Sequence, residues 1–237
     1  MTREALIGRW FRVIELAGAG YRYGAQDIFN RVEAILQPGS FHFLTGPSGA
    51  GKTTFLKLCY LALRPTSGEM RVFGQDANLA GRDDVADLRR RIGVVHQECT
   101  FLDHLSVREN IAMPLVVAGR DPKEHREELK DLLAWVDLED RAEARPPELS
   151  GGERQRAALA RAVILAPDMI IADEPTGNID WEMGLRVLTL LTELNKMGRT
   201  ILVATHDMNL IRAARQKVQA RVLRLSGGVL TQAGSDL

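Results

Sequence analysis

Short runs of apolar residues, separated by glycine, proline and charged positions, recur along this chain. Such runs predict strands covered on both faces, because a strand with one face in water would alternate apolar and polar positions. The predicted strands span residues 11–16, 32–36, 40–45, 92–95, 168–172 and 200–204. A glycine-rich stretch at 17–24 is expected to form a loop, and turn clusters at 66–69 and 73–76 enclose a further short strand.

Apolar positions at three- and four-residue spacing predict helices between these strands. The predicted helices span residues 52–63, 107–117, 121–136 and 151–166. The third is expected to begin with Asp121 as its N-cap and Pro122 in its first turn. The alternation of strands and helices predicts an α/β domain with a helical insertion, which ends at Pro146 and Pro147.

Composition and charge narrow the class of protein. The chain has 237 residues, 45% of them hydrophobic, which is enough for one large domain with a substantial core. Its 31 basic and 31 acidic residues give zero formal net charge, so we expect no nucleic-acid partner. Cys59 and Cys99 form no disulfide framework, which fits a reducing compartment. No apolar run approaches the length of a membrane span, and we expect a soluble chain that is not exported.

One segment between a predicted strand and a predicted helix fits the pattern G-x-x-x-x-G-K-[ST]. It consists of Gly46, Pro47, Ser48, Gly49, Ala50, Gly51, Lys52, Thr53 and Thr54. The backbone N–H groups of such a loop and the positive end of the helix dipole converge where a triphosphate can bind. Lys52 would neutralise the β- and γ-phosphates, and the Thr53 hydroxyl would be a ligand of Mg²⁺. The segment therefore predicts a nucleotide site.

A second glycine-containing helix start follows the insertion. Ser150 is a natural N-cap, and the N–H groups beside Gly151 and Gly152 offer another anion site. A plain capping box between Ser150 and Glu153 is the alternative, although it does not require both glycines. Because this half-site has no lysine and no metal-ligand hydroxyl, we predict that it completes the nucleotide site of another subunit.

Polar residues follow two of the predicted buried strands. Asp173 and Glu174 come directly after strand 168–172, and His206 follows strand 200–204. Ligands bind at the carboxyl edge of parallel sheets, so these side chains are expected beside the triphosphate. We predict Asp173 in the Mg²⁺ shell and Glu174 as general base for the attacking water, with His206 bonded to the γ-phosphate or the water.

An aromatic side chain just upstream of the phosphate loop is a candidate for stacking on the nucleobase. Tyr23 is the first choice and Tyr21 the alternative. Either tyrosine, taken alone, is more often an ordinary surface residue or a half-buried packing residue.

The order of these motifs resembles the ATP-binding subunits of ABC systems over nearly the whole chain. The resemblance implies a P-loop NTPase fold of ABC type, which has a mostly parallel sheet core, N-terminal antiparallel strands and an inserted helical subdomain. It implies one domain over residues 1–237, with an α/β core at 1–97 and 148–237 and a helical subdomain at 98–147.

The same resemblance implies roles for individual residues. Gln97 would contact Mg²⁺ and sense a membrane partner, Asp180 would be the D-loop aspartate, and His206 the switch histidine. Each ATP would lie between the loop of one protomer and the Ser150, Gly151, Gly152 turn of the other, in a head-to-tail homodimer. Such a protein hydrolyses ATP to ADP and phosphate, with Lys52, Glu174 and His206 as catalytic residues. His96 departs from the family pattern, which usually has an aromatic residue there.

Three segments, 43–46, 112–119 and 204–211, most resemble the FtsE family of bacterial cell-division ATP-binding proteins. That resemblance implies a membrane-embedded, FtsX-like partner, contacts with cytoplasmic division proteins, control of cell-wall hydrolysis, and a peripheral location on the inner face of the cytoplasmic membrane. Two alternatives stay open. One is the ATPase subunit of a lipoprotein-release or macrolide-export transporter, and the other is a soluble ABC protein acting on DNA or ribosomes, which a long coiled-coil insertion or a second nucleotide domain would mark.

The start of the insertion is the predicted contact with the membrane subunit. Phe101, Leu102 and Leu105 lie in a turn-like stretch shortly after Gln97 and are expected to receive a short helix. The alternative is that they form the insertion's own core.

Overall fold

The computed structural model describes residues 12–177 and 179–232. Its strands are β1 (Ile14–Tyr23), β2 (Gln26–Leu36), β3 (Phe41–Thr45), β4 (Ser67–Val72), β5 (Gln75–Asp76), β6 (Ile92–Val95), β7 (Met169–Asp173), β8 (Thr200–Ala204), β9 (Ala220–Ser226) and β10 (Val229–Gln232). Its α-helices are α1 (Lys52–Cys59), α2 (Arg82–Arg90), α3 (Val107–Val117), α4 (Arg126–Trp135), α5 (Gly151–Val163), α6 (Trp181–Lys196) and α7 (Met208–Arg215). Short 3-10 helices span Glu139–Arg141 and Pro146–Glu148.

Two sheets form the fold. An antiparallel sheet has the order β2-β1-β4-β5, and a second sheet has the order β10-β9-β3-β8-β7-β6. In the second sheet β6, β7, β8, β3 and β9 are parallel, and only β10 runs antiparallel to its neighbour. The carboxyl ends of the parallel strands therefore meet at one edge, which is where α/β proteins bind ligands. The predicted α/β class, with a mostly parallel sheet and N-terminal antiparallel strands, is confirmed.

Apolar side chains pack on both faces of the larger sheet. Phe41 and Phe43 belong to one buried cluster and Leu44 to the other, as the two-residue period of a strand requires. Ile111 and Leu133, from the helices of the insertion, are buried in the same cluster as Phe43. The division into a core and a 98–147 subdomain stays a prediction. Within residues 12–177 and 179–232, no helix is long and apolar enough to cross a membrane.

The glycine-rich segment 17–24 is mostly strand, and the expectation of a loop there is wrong. β1 continues to Tyr23 through register shifts in its pairing with β2 and β4. A Cβ on Gly20 would lie 2.5 Å from Ser67 Oγ and 3.2 Å from Phe29 O, so the glycine permits a close crossing of strands. Glycine thus marks irregular pairing here. Phe11, predicted at the start of this strand, lies outside the described residues.

Three predicted helices are shorter than expected. α4 begins at Arg126, because Asp121 Oδ1 accepts a hydrogen bond from Lys123 N and forms a local turn. α1 and α5 are followed by residues with left-handed backbone, Leu61 at φ 61° and Ala166 at φ 51°, which end a helix. The strand predicted at 168–172 lies one residue later and includes Asp173. Strands 92–95 and 200–204 and helix 107–117 are confirmed.

Candidate active site

The loop from Gly46 to Thr54 joins β3 to α1, and close packing fixes its path. Gly46 has φ 152°, and a Cβ there would lie 2.1 Å from Leu225 O. Gly51 has φ 96°, and its Cβ would lie 2.5 Å from Ile28 Cγ2. Only glycine fits at both positions. Lys52 Nζ donates to Gly46 O at 2.9 Å and to Pro47 O at 3.3 Å, so the ammonium group is held over the loop.

A hydroxyl and a carboxylate meet at the start of α1. Thr53 Oγ1 donates to Asp173 Oδ2 at 2.9 Å, and Asp173 is buried. Burial raises the pKa of Asp173, the Thr53 hydrogen bond opposes this, and the charge of Glu174 adds to it. Hard oxygen donors of this kind are the ligands that Mg²⁺ prefers. The pair therefore fits a magnesium ion coordinated beside the phosphates.

Glu174 and His206 form a second pair at the same edge. His206 Nδ1 lies 2.9 Å from Glu174 Oε1, and the Glu174 side chain is 13% exposed against 76% for His206. Glu174 has φ 46°, which is unusual for a residue other than glycine. Its N–H donates to Ala204 O at 2.8 Å, and its carbonyl accepts from Gly177 N at 3.1 Å. These hydrogen bonds hold the Glu174 backbone in an energetically unfavourable conformation, which is common at active sites.

One cavity of about 640 Å³ brings most of the predicted residues together. It is lined by Ile28, Gly46, Pro47, Ser48, Gly49, Gly51, Lys52, Thr53, Thr54, Gln97, Asp173, Glu174, Gly177 and His206. A cationic lysine, the hydroxyl and carboxylate oxygens of Thr53 and Asp173, the Glu174 carboxylate and an imidazole thus line one cavity at the N-terminus of α1. This arrangement is suited to holding a triphosphate and placing a water beside its terminal phosphorus.

The Ser150 turn does not take part in that cavity. Ser150 Oγ accepts from Glu153 N at 3.3 Å and donates to Glu153 Oε2, which also accepts from Ser150 N, both at 2.8 Å. The bond from the Ser150 N–H is the main reason that the pKa of Glu153 is lowered. The capping box is therefore real, and the predicted contacts of Ser150, Gly151, Gly152 and Glu153 with nucleotide require a second subunit.

Close packing against Met183 explains why a glycine is found at position 152. A Cβ at this position would lie 2.5 Å from Met183 Cγ, so the start of α5 touches the first turn of α6. Asp180 caps α6, because its Oδ1 accepts from Met183 N at 2.9 Å. Asp180 is outside the residues that line the cavity. Asn178, which precedes it in the D-loop segment, lies outside the described residues.

Tyr23 lies at the end of β1 and is 47% exposed. Its ring stands edge-on to Tyr21 at 4.9 Å between centroids. Among the described residues that line the cavity, β2 contributes Ile28, and none is a tyrosine. Stacking of Tyr23 on a base stays a prediction, and the sequence pattern offered no signal for Ile28.

The segment after Gln97 is tied to α5 by a contact that the sequence did not reveal. Cys99 Sγ donates to Gln155 Oε1 at 2.7 Å, and both side chains are buried. Burial raises the pKa of Cys99 to about 11, so this cysteine stays a thiol. His96, at the position that is usually aromatic in the family, packs edge-on against Tyr60 at 5.8 Å between centroids.

The expected docking surface at 101–105 is wrong for Phe101. Phe101 is buried, and the Arg161 guanidinium lies 4.5 Å from its ring centroid. A groove of about 540 Å³ lies nearby and borders His96 and Arg89. α3 contributes Pro114 and Val117 to it. This groove is open to solvent, whereas Phe101 is buried.

Comparison with known proteins agrees with the geometry. The parallel sheet and the phosphate cavity at its edge define an ATP-binding cassette. Residues 29–177 match the family described as ABC transporter, and the chain belongs to this family and is an ABC-type, ATP-binding ATPase.

Relatives in several bacteria are named cell division ATP-binding protein FtsE. The one from Haemophilus influenzae is 40% identical over 191 residues, which cover 81% of this chain and 88% of that protein. The one from Escherichia coli K12 is 41% identical over 207 residues, 87% of this chain and 91% of that protein. Among solved structures, a dimeric post-hydrolysis state of the cassette MJ0796 bound to ADP and Pi has a TM-score of 0.83 and 31% identity, covering 93% of this chain and 97% of that one.

Proposed function

We propose that this protein is the ATPase subunit of a membrane complex in bacterial cell division, and that ATP-driven dimerisation transmits movement to a membrane-embedded, FtsX-like partner. The observation that carries the proposal is the separation of the two half-sites. Lys52, Glu174 and His206 face one cavity, while the Ser150 turn stands outside it. A second copy, arranged head to tail, would bring its Ser150, Gly151 and Gly152 to that cavity. The names of the relatives supply the link to division.

The residues of the cavity divide the work in this proposal. The N–H groups of the 46–54 loop and the Lys52 ammonium bind the β- and γ-phosphates. Thr53 and Asp173, with Gln97 at the rim, would hold a magnesium ion, which neutralises developing phosphate charge when bound. Glu174 accepts the proton of the attacking water, and His206 orients the Glu174 carboxylate through Nδ1.

The membrane partner is proposed to dock in the groove between α2 and α3. Ile92, Pro114 and Val117 give this groove apolar walls, and Arg89 and Arg161 lie at its edge. Val116 and Val117 are 54% and 74% exposed, which is a large apolar area for two adjacent residues. Because His96 lines the groove and the next residue, Gln97, lines the phosphate cavity, a movement of Gln97 at the phosphates would be passed to the groove. Membrane residence on the inner face would then come from protein contact.

Cells of the native host test the proposal. When Glu174→Gln replaces the wild-type chain, we expect elongated cells that divide poorly, and a membrane subunit that co-purifies with the protein in mild detergent. An active-site variant that supports normal division would overturn the role in division. Normal division combined with retention of lipoproteins in the membrane would favour the transporter alternative.

A further inference from the structure

The first turn of α6 connects the two half-sites of the protein. Gly177, shortly before this helix, lines the phosphate cavity. Asp180 caps the helix, and Met183 lies against Gly152 in the Ser150 turn. Gly177 therefore lies at the rim of the cavity, and Met183 lies at the turn that another copy must receive.

Met183 fixes this first turn in place. Arg156 Nη1 lies 2.7 Å from Met183 Sδ, and Gly152 leaves no room for a Cβ beside the same side chain. Arg156 is buried, and its Nε donates to Val136 O at 2.7 Å. A methionine clamped between a buried arginine and a glycine cannot shift without disturbing α5. The surface that α6 offers beside Asp180 is consequently preorganised.

Trp181 follows Asp180 directly on this surface. It is the first residue of α6 and is 48% exposed. In the part of the chain that the structure describes, it is not among the apolar residues that pack against either buried cluster. A large, half-exposed tryptophan between two half-sites is an unusual feature for a surface that stays in water.

We infer that Trp181 is the apolar anchor through which a second copy of this chain packs on this face. The inference rests on the proposed function, because the occupant is the copy that would complete the composite site. Described residues near Trp181 in the chain belong to both half-sites, since Gly177 lines the cavity and Met183 contacts Gly152 in the Ser150 turn. In a two-fold arrangement the same patch recurs on both copies, so an element between the two half-sites lies near the axis.

The charges around Trp181 fit an interface centre with a polar rim. Glu182 is paired with Arg186 at 3.6 Å, and Arg186 is also 3.6 Å from Asp137. Paired charges at the edge cost less to bring against another surface than lone ones. Tryptophan is enriched among the few residues that carry most of an interface's binding energy.

Dimerisation in the presence of ATP tests the anchor. In a Glu174→Gln background, where ATP persists, Trp181→Ala should raise the dimer dissociation constant by about tenfold or more, as expected for a central interface residue. Sedimentation or light scattering measures this constant. Nucleotide affinity of the monomer should not change. Trp181→Phe should retain part of the affinity. The matched control is Met197→Ala at the other end of α6, where Met197 is 73% exposed, and this variant should dimerise like its parent.

Fluorescence gives an independent readout. With Trp10 and Trp135 replaced by phenylalanine, Trp181 is the remaining tryptophan of the sequence. Its emission should shift to shorter wavelength when ATP drives dimerisation, and should not shift in a Ser150→Arg chain. If Ser150→Arg blocks dimerisation while Trp181→Ala dimerises like its parent and the emission stays unshifted, the anchor is overturned and the composite site stands. If Ser150→Arg dimerises normally, the composite site itself is overturned.

Discussion

His206 Nδ1 lies 2.9 Å from Glu174 Oε1 although the two residues belong to different strand ends. β7 and β8 are adjacent and parallel, so the turn after each strand opens at the same edge of the sheet. The histidine is largely exposed and the glutamate largely enclosed. An imidazole so placed can orient the carboxylate and move with bound nucleotide.

The first prediction concerns the chemical step. Glu174→Gln should bind ATP normally, because the phosphate loop is intact, and should lose about 100-fold or more in turnover, since a positioned base contributes that much. His206→Ala should lose less. Phosphate release and nucleotide binding are measured on the same preparations. Wild-type turnover in a Glu174→Gln sample free of contaminating ATPase would remove Glu174 from the role of base.

The second prediction separates the loop from the Ser150 turn. Lys52→Ala should weaken ATP binding to the monomer, whereas Ser150→Arg should leave that binding unchanged and abolish ATP-driven dimerisation. Mixing the two variants pairs one doubly damaged site with one intact site. Some ATPase activity should therefore return in the mixture, and its absence at every mixing ratio would count against head-to-tail assembly.

The third prediction concerns the groove between α2 and α3. Val117→Glu should leave folding and ATP-driven dimerisation intact, because Val117 is 74% exposed, yet should release the protein from membranes. Leu79→Glu is the control, since Leu79 is 83% exposed and does not line the groove. Membrane fractionation of the two variants gives the comparison. Equal retention of both at the membrane would exclude this groove as the docking site.

The fourth prediction is a pH dependence of stability. Burial, with help from Arg221, lowers the pKa of His42 to about 4, from 6.5 in the unfolded chain. Below pH 6.5 the His42 imidazole binds a proton in the unfolded state but stays neutral in the folded state. The free energy of unfolding therefore falls as the pH drops from 6.5 to 4, by roughly 3 kcal/mol at most. His42→Gln should flatten this part of the curve. Denaturant titrations at several pH values measure the slope, and an unchanged slope would contradict the assignment.

Much of this site follows from local pattern. A glycine loop with lysine and threonine, and carboxylates after buried strands, specify chemistry within a few neighbouring residues. The sheet then brings these strand ends together at a single edge. Lys52, Asp173 and His206 could be predicted for this reason, and all three line one cavity.

Other features depend on contacts between distant segments. The bond between Cys99 and Gln155, the wall formed by Ile28 and the clamp on Met183 have no local signature. The glycines in β1 led to the wrong prediction of a loop, because a bulged strand and a loop both use the backbone conformations that glycine adopts easily. The role of Phe101 was predicted wrongly because a short apolar segment has the same sequence pattern whether it faces a partner protein or packs inside its own chain. Here the Phe101 ring is buried beside Arg161.

The backbone of Glu174 has an evolutionary consequence. Its φ of 46° is a conformation in which glycine or asparagine would cost less, so selection for stability alone would favour replacing it. A Glu174→Gly chain should accordingly relax the turn while losing the carboxylate. Selection for a more stable fold and selection for the reaction therefore favour different residues at this position.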